Sequence, residues 1–214
     1  MSELLPTART TRWLSLLRSA HILALAMVMA GCGASGNIDD TQNAVVLVID
    51  SITQVSNPFG DILTSSGSIL DDTVDVVFSA HLKSPSPPPG SPLDPTLQDI
   101  ILERYEVTFV RTDGGTAVPA GFQRGMSLRV RLTPQGDVIL RESTASSLVI
   151  APATEKSQPP ISFLIDPGFE PSTGFVNIQV NATLRFFGRT IAGDKVSVSA
   201  TIGINFADFG DNNS

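Results

Sequence analysis

Val176-Asn-Ile-Gln-Val-Asn-Ala-Thr-Leu-Arg-Phe186 and Val196-Ser-Val-Ser-Ala-Thr-Ile-Gly-Ile-Asn-Phe206 are runs in which apolar and other side chains take strict turns. Successive side chains of a β-strand point to opposite faces, so a period of two puts one apolar face on a core and the other in water. A helix would repeat its apolar residues every three to four positions, and neither run does. The residues between them, from Gly188 to Asp194, include Ala192-Gly193-Asp194, which carries the backbone freedom of a turn. Two long strands joined as a hairpin are the expectation.

The same period recurs upstream. Val74, Val76, Phe78, Ala80 and Leu82 alternate with Asp75, Val77, Ser79, His81 and Lys83. Tyr105, Val107 and Phe109 alternate with Glu106 and Thr108, and Leu128, Val130 and Leu132 with Arg129 and Arg131. Strands are expected over 45–55, 100–112, 127–133, 137–142, 148–150 and 161–165, separated by Asp113-Gly114-Gly115, Pro134-Gln135-Gly136 and Asp166-Pro167-Gly168. Pro95 could open a short helix over 96–104, but the β-rich residues that follow favour strand there. Ser84 to Pro95 holds six prolines, which lack donors for a ladder, so it reads as an exposed extended connection. Eight or nine short strands with no long helical segment between them predict an all-β sandwich rather than a parallel α/β sheet.

The first forty-odd residues have a different character. Arg9, Arg12 and Arg18 precede a stretch without charge from Ser19 to Asn37, inside which Ile22 to Ala30 is apolar. Nine apolar residues fall short of the roughly twenty that span a bilayer, and the order of polarity is that of a secretory signal. Cys32 follows directly after Gly31 and is the only cysteine, so no disulfide framework or thiolate cluster can form within the chain.

Met29-Ala30-Gly31-Cys32 resembles the bacterial lipoprotein signal, in which small residues precede a cysteine that is acylated and becomes the mature N-terminus. Family members usually carry Leu where this chain has Met29. The resemblance implies a cleaved signal peptide over residues 1–31, lipid on Cys32 and residence in a bacterial cell envelope. Gly33 at the next position, rather than the Asp that commonly marks inner-membrane retention in enteric bacteria, favours the outer membrane. Residues 32–44 then form a polar tether whose reach, with Gly/Ser-like flexibility, is on the order of 20 Å. Residues 45–210 are expected to form the single sandwich domain and 211–214 a disordered tail.

The segment Tyr105-Glu-Val-Thr-Phe-Val-Arg-Thr-Asp-Gly-Gly115 resembles a central strand and turn of immunoglobulin-like and fibronectin type III modules. That implies an antiparallel, immunoglobulin-like β-sandwich. The chain has no Cys-Trp-Cys set of the antibody type.

Charge and chemistry narrow the role. Removing Arg9, Arg12 and Arg18 from 14 basic residues leaves 11, and removing Glu3 from 21 acidic ones leaves 20, so the mature chain carries 11 − 20 = −9. An acidic chain has no electrostatic footprint for nucleic acid. His81 is the sole histidine once His21 is removed with the leader, and it falls on the polar side of its strand, so a Ser-His-Asp relay is disfavoured. Two acidic clusters, Asp71, Asp72 and Asp75, and Asp208 with Asp211, are weak candidates for a cation such as calcium, which takes six to eight oxygens. Neither has the alternate spacing of a dedicated calcium loop. The expectation is therefore a non-enzymatic, cofactor-free envelope protein, attached to the membrane through its lipid, with a structural role or a protein partner in the envelope. A calcium-assisted adhesion or ligand-binding module is the alternative, followed by an enzyme with a loop-borne site.

Overall fold

The computed structural model of the chain describes residues 44–56, 59–64, 66–83, 95–133 and 141–209. Among them are seven strands: β1 (Val45–Gln54), β2 (Asp72–Leu82), β3 (Ile100–Arg111), β4 (Phe122–Val130), β5 (Ser143–Ala151), β6 (Asn177–Thr190) and β7 (Lys195–Ala207). They form two antiparallel sheets, one ordered β1-β2-β5 and the other β4-β3-β6-β7, so the described residues form an all-β fold.

Alternation decides what is buried. Val74, Val76, Phe78 and Ala80 of β2 face Ile178, Val180, Ala182, Leu184 and Phe186 of β6 in one core, and all are at most 1 % exposed. Phe78 and Phe186 meet edge to face with ring centroids 4.9 Å apart, a geometry that contributes about 0.5–1.5 kcal/mol beyond the area it buries. Tyr105 of β3 sits beside them, and its hydroxyl donates across the core to the Val149 carbonyl of β5 at 3.0 Å. A buried hydroxyl needs such a partner, and here the partner belongs to the opposite sheet.

Several expectations shift by a few residues. The hairpin forms, but β6 runs on to Thr190, leaving only 191–194 for the turn. Gly188 permits this, because a Cβ there would lie 2.3 Å from the Ile101 carbonyl oxygen of β3. β4 starts at Phe122, earlier than the alternation at Leu128, because pairing with β3 recruits residues of no clear period. Residues 95–98 take one 3₁₀ turn before β3, so the helical and extended readings of that stretch each hold for part of it. Ile161–Leu164 is a 3₁₀ turn, not the strand expected over 161–165: Ile161 and Leu164, three apart, share the buried side after Pro159-Pro160. The strand expected over 137–142 and the tail at 211–214 lie largely or wholly outside the described residues.

The pairings also define two ends. Val45 pairs with Leu82, Ala80 bridges to Leu132 just beyond β4, and Val130 and Thr190 both pair with Ile100. The start of β1, where residues 32–44 attach, thus shares an end with the start of β3 and the β6–β7 turn. At the far end Gln54 pairs with Val74, Asp72 with Ala151, Arg111 with Val180 and Asn177 with Ala207.

Candidate functional site

The far end is built by residues 152–176, which connect β5 to β6, and by the 59–62 segment, which is bonded to Ala207 through Ile62 and Gly60. Two buried charge clusters hold these loops. In the first, the single helical turn α1 (Ala153–Lys156) sends Lys156 inward to 1 % exposure. Its ammonium donates to the Asp61 carbonyl oxygen at 2.6 Å and lies 2.9 Å from Asp72 Oδ2. Burial pushes the Asp72 carboxyl above its ordinary value, while the hydrogen bond and charge of Lys156 pull it back. Paired ions inside a core are tolerated, whereas either one alone would be costly.

The second cluster carries the loop that precedes β6. Arg111, at the end of β3, grips Asp113 with a two-pronged contact, Nε to Oδ1 and Nη2 to Oδ2, both 2.7 Å, and donates through Nη1 to the Ala117 carbonyl at 3.0 Å. Asp113 also accepts the Gly115 and Gln179 amides at 3.0 Å each. Burial favours its neutral form, but the Arg111 guanidinium and these amides outweigh that and hold it at about 2. Gly115 lies flat on the guanidinium, where a Cβ would come within 2.0 Å of Nη2.

Glu170 approaches the same guanidinium at 3.7 Å and is 2 % exposed. It accepts the Ser172 and Thr173 hydroxyls at 2.6 and 2.9 Å and the Thr173 amide at 2.9 Å. Despite burial, which raises it, its carboxyl is held below the ordinary value by these hydroxyls and amides. Its own amide donates to the Phe175 carbonyl at 2.8 Å, and the Gly174 amide donates to its carbonyl at 2.7 Å. The backbone from 170 to 175 is therefore tied on both sides. That loop turns Phe169, Phe175 and Val176 outward, at 42 %, 49 % and 70 % exposure.

The sequence candidates distribute as follows. Asp71 Oδ1 accepts the Ala153 amide at 2.7 Å at the start of α1, Asp72 pairs with Lys156, and Asp75 Oδ1 accepts the amide of Ser147 at 2.8 Å. Ser147 sits at φ 54°, an uncommon conformation for a residue with a side chain, and Asp75 supports it. Asp208 is exposed, and Asp211 and Cys32 lie outside the described residues. Among the described residues no three acidic, histidine or cysteine side chains converge in a metal-holding group.

His81 is half-buried, not simply solvated: its Nε2 lies 3.0 Å from Ser79 Oγ, and that hydroxyl donates to Asp50 Oδ1 at 2.9 Å. The order is Asp–Ser–His, with the carboxylate on the hydroxyl. A relay needs the carboxylate on the second imidazole nitrogen, so this trio is arranged to tie β1 to β2. At the near end an open groove of about 520 Å³ runs over β3, β6 and β7. Its guanidiniums are engaged: Arg104 stacks on Phe187 at 3.7 Å and bonds Glu106 at 2.6 Å, and Arg189 bonds Glu103 at 2.7 Å.

No family model, curated protein or solved structure matches the chain. The loop architecture of the far end was not legible in the sequence. Arg111, Glu170 and Lys156 are scattered residues whose only signal was being charged beside turn residues.

Proposed function

We propose that the chain is a lipid-anchored protein of a bacterial cell envelope whose immunoglobulin-like β-sandwich serves a non-catalytic, protein-interaction role. The tract Met29-Ala30-Gly31-Cys32, following an apolar run too short to cross a bilayer, carries this reading. Two or three acyl chains on one cysteine, each buried methylene contributing about 0.8 kcal/mol, give durable attachment where one chain gives only marginal binding. The immunoglobulin-like type is supported by the connections: β2 to β3, β4 to β5 and β5 to β6 each pass between the sheets, as in Greek-key sandwiches. The interaction role is supported by the far end, where the charged side chains named above serve loop geometry and the apolar ones are left outward.

Fractionation of the native host tests the placement. The wild-type chain is expected in the membrane fraction, extracted only by detergent, and Cys32→Ala is expected to lose that mature, membrane-held form. Equal distribution of the two would contradict the anchor.

A further inference from the structure

The exposed apolar residues are not scattered. Of the eleven large hydrophobics that are exposed among the described residues, only Leu97 and Ile191 lie at the near end. Val110 at the end of β3, Phe169, Phe175 and Val176 before β6, and Phe209 after β7 belong to the far end, as do Val55 and Leu70 where β1 leaves and β2 begins. Scattered apolar residues need no explanation, but a concentration at one pole does.

Positive charge is segregated along the same axis. Eleven Lys and Arg follow Cys32, and the side chains of Arg111 and Lys156 are buried at the far end. The other nine are Lys83, Arg104, Arg124, Arg129, Arg131, Arg141, Arg185, Arg189 and Lys195, and none lies farther from the near end than the level where Glu106 pairs with Arg185. Acidic residues are exposed at both ends, among them Glu103, Glu142 and Asp194 at the near end and Asp71, Asp166 and Asp208 at the far one, so among the described residues only the far end pairs exposed carboxylates with no exposed cation. Beyond about 8 Å at physiological ionic strength the basic end is screened, so a docking molecule meets the far end as apolar and negative.

We propose that this far end is the docking surface, and that its partner is a protein presenting an apolar patch rimmed by Lys or Arg. The proposal deepens the interaction role above and rests on it. A negative rim disfavours anionic headgroups, and residues 32–44 join the domain at its opposite end, where β1 begins. The tied loop 170–175 presents them with little ordering left to do on binding, which is how rigid aromatic side chains gain affinity.

Photo-crosslinking in intact cells tests this, with the full-length, natively processed chain carrying a benzophenone amino acid at Val176 or, as control, at Ile191. Discrete protein adducts are expected from Val176 and not from Ile191, with the captured segment bearing Lys or Arg beside apolar residues. Asp166→Lys combined with Asp208→Lys, both exposed, is expected to cut the Val176 adduct at least fivefold while leaving the melting temperature unchanged. Equal adducts from both positions, adducts to lipid, an acidic captured segment, an adduct indifferent to the double substitution, or no adduct at all would overturn the proposal. Fractionation of the same cells reads the anchor separately: a soluble chain that still gives the Val176 adduct sinks the anchor and spares the docking surface.

Discussion

At the scale of the residue, the buried ions dominate. Asp113 ordinarily titrates near 3.8 and is held at about 2 in the fold, so its carboxylate is stabilised on folding. That contribution is complete above the unfolded value and vanishes as pH falls through the folded one. Wild-type melting temperature should therefore drop between pH 4 and pH 2 more steeply than that of Asp113→Asn, which should already be weaker at pH 7 by about 1–3 kcal/mol. Lys156→Met leaves Asp72 buried without its counter-charge, and urea denaturation should show a loss of about 3–5 kcal/mol, partly restored by adding Asp72→Asn. The Asp72–Lys156 pair could not be read from the sequence. Asp72 and Lys156 are 84 positions apart, and in the acidic cluster Asp71-Asp72-Thr73-Val74-Asp75, a weak cation candidate by sequence, each carboxylate meets its own structural partner.

At the scale of the element, strands buried on one face announced themselves. β2, β6 and β7 carry nearly unbroken alternation because one face meets the core and the other does not. Phe186 lies where β6 meets both Phe78 and Tyr105, so Phe186→Ala should cost about 3–5 kcal/mol in urea, against little for Thr183→Ala on the outer face. The edge strand β4 was harder, since only part of it is buried and its start is set by its partner β3. The stretch 161–165 misled for a physical reason: five apolar and small residues between prolines suit a strand or a tight helical turn equally, and only the spacing of Ile161 and Leu164 over the core chooses.

At the scale of the whole molecule, the two antiparallel sheets were legible from period and turn spacing. The polarity of the domain was not, because it arises from which strand ends come together. Net charge alone describes an acidic chain, whereas the fold gathers the exposed basic residues toward the end where β1 begins and leaves the far end acidic and apolar. The proposed place of the chain at a membrane rests on Cys32, independently of whether the far end docks a partner. The most direct measurement is the intact mass of protein purified from its native host with detergent. The expected species begins at Cys32, lacks residues 1–31 and carries the added mass of two or three acyl chains; a full-length chain with a free Cys32 thiol would contradict it.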